Sequence, residues 1–260
     1  MIKNSSQMLK PLLEIAKEAG KIIMVEYSKN HRGEPKADGT PVTQADLNAD
    51  DFITKSLHNL YPHIPVVSEE KSMRIAPESL RDKDFFLVDP LDGTKEFIKK
   101  NGEFTVNIAF MKNGSPLLGV IHAPSLNESW FGAIGEEAKK EDANGRVINI
   151  SARSPKNLNG IIATRSRSHD NNKEMQKWLD HHSVAEVIIC GSSLKFCKIA
   201  EGLVDVYPRF TPTMEWDTAA AHAILLASGG HVCTLDGAEL TYCKDGLINP
   251  YFIASGKDWK

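Results

Sequence analysis

The stretch FFLVDPLDGTKEFI, residues 85–98, sets four apolar residues directly before two aspartates that stand three positions apart around a proline. Phe85 to Val88 reads as a short, continuous, buried strand, and Asp89 and Asp92 stand where it leaves the core. Pro90 stiffens the bend between them, so Asp89, Asp92 and the Leu91 carbonyl can point to one side. Gly93 and Thr94 follow with backbone N–H groups and a hydroxyl, which make an anion seat if a helix starts there. Asp-Pro and Asp-Gly pairs are common turn chemistry. Any further meaning must come from the same pattern recurring elsewhere in the chain.

It recurs twice. IPVVSEE (64–70) is a second short buried strand that ends in Glu69 and Glu70. WDTAAAHAILLASGG (216–230) reads as a helix that Asp217 opens and Gly229-Gly230 stops, after the strand-like segment 203–210. Each carboxylate lies where a buried element meets solvent. Side chains at strand ends and helix starts can converge on one cleft, the usual ligand position in layered α/β proteins. Carboxylates that converge within about 4–6 Å repel and force a pKa upward, and a divalent cation removes the conflict. Oxygen ligands without Cys or His select Mg²⁺, Mn²⁺ or Ca²⁺ over Zn²⁺. The residue chemistry therefore points to metal-assisted phosphoester hydrolysis.

The rest of the chain fits a layered frame. Met8, Leu12, Leu13, Ala16, Ala19, Ile23 and Tyr27 recur at helical spacing over 5–28, and residues 45–60 predict a second helix. Residues 33–46 are turn-rich and predict a hairpin or loop. FTVNIAF (104–110) alternates with period two and PLLGVIHAP (116–124) follows it, so the two predict an antiparallel pair. A charged, Gly-containing segment near 135–156 predicts a domain boundary. It separates an N-terminal α+β domain, 1–150, from a C-terminal α/β domain, 151–260. Beyond it, GIIATRS, AEVIICGSS and VDVYPRF predict strands, and SLKFCKIAEG a short helix ended by Gly202.

Composition excludes several classes. The 260 residues carry a net charge of −3, which leaves no electrostatic footprint for a nucleic acid polymer. Four cysteines, none in a C-x-x-C pair, signal reduced thiols and no zinc ribbon. No apolar run reaches the length of an integral membrane segment, and the N-terminus lacks a secretory pattern. The expected location is cytoplasmic.

Two motifs carry a family resemblance: Asp89-Pro-Leu-Asp-Gly-Thr94 and, far downstream, Trp216-Asp-Thr-Ala-Ala220. Together they resemble the lithium-sensitive, magnesium-dependent phosphatase superfamily of inositol monophosphatase and fructose-1,6-bisphosphatase. Within it, Lys95-Glu96-Phe97-Ile98, the run Asn101 to Ala109, Gly191 to Cys197 and Tyr207-Pro-Arg-Phe210 are similar to the bacterial 3'(2'),5'-bisphosphate nucleotidase branch. The resemblance implies a layered αβαβα sandwich, α+β and α/β in its two halves, of the sugar-phosphatase type. It implies two or three Mg²⁺ ions on Glu69, Asp89, Asp92, Asp217 and the Leu91 carbonyl, with Mn²⁺ as a substitute and Li⁺ and Ca²⁺ as inhibitors. Asp46 and Thr94 would activate the attacking water, with Glu69 bridging the metals. Gly93, Thr94, His169, Ser192, Lys195 and Arg209 would hold the substrate.

The implied reaction removes the 3'-phosphate of adenosine 3',5'-bisphosphate, giving AMP and phosphate, with 3'-phosphoadenylylsulfate as a second candidate, in sulfate assimilation. Two alternatives stay open at this point. One is an inositol-1-phosphate or sugar-phosphate phosphatase with the same metal site; the other is a non-catalytic nucleotide or metal sensor. The expected partner is a small nucleotide, the expected state a monomer or homodimer. Peripheral association with the inner face of the cell membrane is left open.

Overall fold

The computed structural model of the chain describes residues 6–29, 34–35, 41–42, 44–74, 77–155, 160–168 and 173–259. Helix α1 spans Ser6–Tyr27 and α2 Gln44–Leu60. Between them β1 (Glu34–Pro35) and β2 (Pro41–Val42) pair antiparallel; of the expected 33–46 hairpin, residues 44–46 begin α2 instead, and the rest lies outside the described residues. A seven-stranded sheet then forms in chain order: β3 (Val66–Ser68), β4 (Phe85–Asp92), β5 (Thr105–Lys112), β6 (Ser115–Ala123), β7 (Glu128–Ala133), β8 (Lys139–Glu141) and β9 (Val147–Asn149). Only the β3–β4 pair is parallel; the other five are antiparallel. The five-residue helix α3 (Thr94–Ile98) leaves the end of β4.

The segment 135–156, where a boundary was expected, carries two strands. Lys139–Glu141 and Val147–Asn149 are strands that extend the first sheet. They are half-buried and exposed respectively, so they carry no alternating apolar pattern for a sequence reading to find.

The second half adds β10 (Ile161–Ser166), α4 (Lys173–His181), β11 (Val184–Cys190), α5 (Leu194–Ala200), β12 (Val206–Arg209), β13 (Thr213–Met214), α6 (Ala219–Ala227), β14 (His231–Thr234), β15 (Ile248–Asn249) and β16 (Phe252–Ser255). Five of these strands form a second, mixed sheet in the order β11-β10-β12-β16-β14, and β13 pairs with β15. Gly202, at φ +71°, ends the turn after α5 in the left-handed region that glycine adopts without strain.

Strand β4 shows how alternation builds the layers. Phe86 and Val88 enter a core with α1 and α2, whereas Phe85 and Leu87 enter a core shared with α5, α6 and the second sheet. A third cluster covers the outer face of the second sheet with Met175 and Trp178 of α4. The order α1/α2, first sheet, α5/α6, second sheet, α4 is the expected αβαβα sandwich.

Helix α6 lies unusually close to the first sheet. A Cβ added at Gly119 on β6 would stand 2.1 Å from the Ala220 carbonyl oxygen. Gly119 and the run Ala219-Ala220-Ala221 are small because the helix backbone rests on the strand backbone there, and this brings the start of α6 up to the end of β4.

Candidate active site

Period-two alternation answers the question that the first motif raises. Asp89 shares its face of β4 with Phe85 and Leu87, which look toward the central helix layer. The strand bulges between Asp89 and Asp92, so the ladder with β5 resumes only at Asp92 opposite Thr105. The Asp89 side chain accepts the Leu91 N–H at 3.0 Å, which folds the bend back on itself. Gly93 sits at φ +92°, with its Cβ position 3.0 Å from the Glu103 carbonyl oxygen. A side chain there would be strained and crowded at once.

The third carboxylate arrives from the other end of the sequence. Glu215–Asp217 form a 3₁₀ turn ahead of α6, so Asp217 precedes the α-helix and does not stand inside it. Its Oδ2 accepts the Met214 N–H at 2.9 Å, closing the turn. One oxygen each of Asp89, Asp92 and Asp217 lies within 4.8 Å of the others, the one such acidic group among the described residues able to hold a metal ion.

Electrostatics follow from that crowding. Burial raises the Asp89 carboxyl well above the ordinary carboxylate range, and Glu69, Asp92, Asp217 and Asp46 push in the same direction. Burial also lifts Asp217, with Asp92 and Glu69 adding to it, against the Met214 amide and Arg209. Asp92 is raised by burial, while the Ser192 hydroxyl, Lys195 and the Ser193 amide oppose the rise. The set fits a hard divalent cation. All donors are carboxylate oxygens, no thiol or imidazole is among them, and the mutual repulsion is what a cation would relieve.

The other expected residues distribute around this triad. Glu69 begins a 3₁₀ helix at the end of β3 and lines the same cavity, outside the tight triad. Asp46, on the first turn of α2, is fully buried. The Thr94 hydroxyl donates to the Leu91 carbonyl at 3.4 Å. Ser192 Oγ and the Ser193 N–H both donate to Asp92 Oδ2 at 2.6 Å, so the turn before α5 braces one oxygen of the triad. Ser192 holds φ +54° to do this. Lys195 and Arg209 are buried and line the cavity, which measures about 310 Å³. His169 lies outside the described residues.

Three supports escaped the sequence reading. Asp50, buried one turn after Asp46, accepts Ser68 Oγ at 2.5 Å and pairs with Lys71 at 2.7 Å, tying the end of β3 to α2. Two acids beside the apolar stripe Ala45, Ala49, Ile53 and Leu57 were a usable signal. Glu103 takes Arg167 in a bidentate pair at 2.7 Å and the Gly191 N–H at 2.8 Å, fastening the 191–193 turn to the β4–β5 connection. Fully buried Glu215 accepts the Cys243 and Lys244 N–H groups at 2.8 and 2.9 Å and Lys244 Nζ at 2.6 Å, which anchors the Asp217 turn. The last two pairs join distant segments, and no local pattern encodes them.

Among the described residues no helix is long and apolar enough to cross a membrane.

The chain is similar to several known proteins. The chain is 42% identical to the 3'(2'),5'-bisphosphate nucleotidase CysQ of Escherichia coli K12 over 252 residues, covering 95% of this chain and 99% of that one. It is 42% identical to the protein of the same name from Salmonella typhimurium over 249 residues, covering 94% and 98%. The crystal structure of CysQ from Bacteroides thetaiotaomicron superposes with a TM-score of 0.83 at 36% identity, covering 99% of each chain. An inositol monophosphatase from Thermotoga maritima, 24% identical, shares the fold with a TM-score of 0.76 over 94% of this chain and 89% of that one. Residues 4–255 match the inositol monophosphatase family, and the chain belongs to it.

Proposed function

We propose that the chain is a Mg²⁺-dependent phosphatase that removes the 3'-phosphate of adenosine 3',5'-bisphosphate. The observation that carries this reading is one cavity joining the Asp89/Asp92/Asp217 triad to two buried cations, Lys195 and Arg209. Lys195 already lowers the Asp92 carboxyl and Arg209 the Asp217 carboxyl, so each cation has a carboxylate nearby. A substrate with a second phosphate brings a further anion to this positive pair in the same cavity, and a neutral polyol does not. The names of the 42% identical relatives agree with this choice.

In this reading Asp89, Asp92, Asp217, Glu69 and the Leu91 carbonyl would hold the metal. Mg²⁺ would supply Lewis-acid neutralisation of the phosphoryl oxygens and a lowered pKa for bound water. Residues 1–150 carry most of these ligands, and 151–260 bring Asp217 and the nucleotide contacts. Thr94, whose hydroxyl lies at the Leu91 carbonyl, would orient the water and relay its proton, passing its own hydroxyl proton to the Asp46 carboxylate as it takes one from the water. The water oxygen would attack the 3'-phosphorus as the P–O3' bond breaks, and the departing 3'-oxygen would take a proton from a solvent water. The Gly93 and Thr94 amides, which line the cavity, would neutralise the equatorial oxygens, where charge grows. Ser192, Lys195 and Arg209 hold the remaining 5'-phosphate and sugar.

Phosphate release with Mg²⁺ from adenosine 3',5'-bisphosphate and from inositol 1-phosphate tests the reading. The bisphosphate should be turned over with the higher kcat/KM by at least about tenfold, equivalent to one charge-assisted contact. Preference for inositol 1-phosphate would move the assignment to the sugar-phosphate branch, and absence of turnover on both would make the chain a sensor.

A further inference from the structure

The two cavity cations are not independent of each other. Strand alternation places Tyr207 and Arg209 on the same face of β12, and α5 lays Lys195 over that face. Lys195 Nζ stands 5.2 Å from the centroid of the Tyr207 ring, within cation–π range. Arg209 Nη1 donates to the Tyr207 hydroxyl at 3.3 Å, and its Nε donates to the Thr211 carbonyl at 3.1 Å. The Tyr207 ring is itself fixed, edge-on to Phe196 at 5.5 Å and 86° and to Phe252 at 5.7 Å and 87°. All five of these side chains line the cavity.

One rigid aromatic residue thus touches both positive groups, with its face toward the ammonium and its hydroxyl toward the guanidinium. The arrangement holds two like charges in one buried space. It also freezes the guanidinium plane at two points before any ligand arrives. Pre-set donors lose less freedom on binding than mobile ones, and the planar guanidinium rewards correct orientation more than an ammonium does. We propose that Tyr207 is the positioning residue that sets Lys195 and Arg209 for a second phosphate, and that it thereby favours bisphosphates over monophosphates. The proposal rests on the bisphosphatase reading above and names a residue that this reading leaves unassigned.

Tyr207→Phe tests it, because the ring and the cation–π contact stay while the acceptor for Arg209 is lost. The readout is the ratio of kcat/KM for adenosine 3',5'-bisphosphate to that for adenosine 3'-monophosphate, in wild type and variant. The ratio should fall about tenfold, the worth of one hydrogen bond to a charged group, and the change should sit in KM for the bisphosphate. AMP keeps the 5'-phosphate, so its dissociation constant, measured by calorimetry without Mg²⁺, should rise by a similar factor. A ratio within about twofold of wild type overturns the proposal. So does an equal loss of kcat on both substrates with a lowered Tm, which marks a packing residue. Wild type that prefers inositol 1-phosphate sinks the bisphosphatase reading and this proposal together. Wild type that prefers the bisphosphate, with a variant of unchanged ratio, sinks this proposal alone.

Discussion

Replacing Asp89 by Asn should stabilise the metal-free protein while removing its activity. Asp89 is buried and receives like-charge pressure from Glu69, Asp92, Asp217 and Asp46. With one oxygen of each triad member within 4.8 Å of the others, each ionised pair repels by about 3.5 kcal/mol at an effective dielectric of about 20. Burial and crowding raise the Asp89 carboxyl well above the ordinary range, so the removable repulsion is smaller. A gain of about 2 kcal/mol is expected, or roughly 5 °C in Tm for a chain of this size. Asn conserves volume, and its side-chain oxygen can still accept the Leu91 N–H. The assay is thermal unfolding in EDTA and again in saturating Mg²⁺. In EDTA the variant should melt above wild type. In Mg²⁺ the order should reverse, because wild type gains about 2.7 kcal/mol at a hundred times its dissociation constant and the variant gains little. Phosphate release should fall by at least about a hundredfold. A variant that melts below wild type in EDTA would refute the reasoning, since Asp89 would then be a structural acceptor with no strained charge.

Two other outcomes follow from the packing and from the buried histidines. Gly119→Ala forces its new Cβ against the Ala220 carbonyl oxygen, 2.1 Å away, so α6 must lift from the sheet. A loss of at least about 1–3 kcal/mol is expected by denaturant titration, together with a higher Mg²⁺ requirement because Asp217 shifts with the helix; an unchanged Mg²⁺ requirement contradicts the coupling. Burial lowers His222 from 6.5 to about 3 and His122 from 6.5 to about 4. Both depressed values lie below the unfolded value, so the stability they contribute is present above about pH 6.5 and is lost as pH falls toward 4. The loss is on the order of 3 kcal/mol for His222 over that span. His222→Gln should shrink the acid-induced loss by that amount in urea titrations between pH 7 and 4, and an unchanged acid limb would contradict it.

The two ends of the triad were legible for different reasons. Asp89 and Asp92 follow a run whose burial is evident from four apolar residues, and the bend chemistry of Pro90 and Gly93 is local. Asp217 was legible because small residues follow it, and Ala220 against Gly119 shows what those small residues are for. The pairing of β5 with β6 was also local, since FTVNIAF alternates, PLLGVIHAP follows it directly, and Gly114 turns between them at φ +71°. Strand β8 and the edge strand β9 were missed because they bury too little to leave a pattern. Asp217 was expected to open the helix itself and instead closes a 3₁₀ turn two residues before α6 begins, held by its bond to the Met214 N–H. The braces Glu103–Arg167 and Glu215–Lys244 join residues 64 and 29 positions apart, and each looks like an ordinary surface charge in its own neighbourhood. The cation–aromatic contact of Lys195 with Tyr207 was illegible for the same reason: it depends on a helix crossing a strand face.

The central claim is that side chains from β4 and from the turn before α6 form one divalent-cation centre. Anomalous diffraction from a crystal soaked in Mn²⁺ tests it most directly. At least one manganese peak should lie bonded to oxygens of Asp89, Asp92 and Asp217 together; manganese density elsewhere with none between those three carboxylates would contradict it.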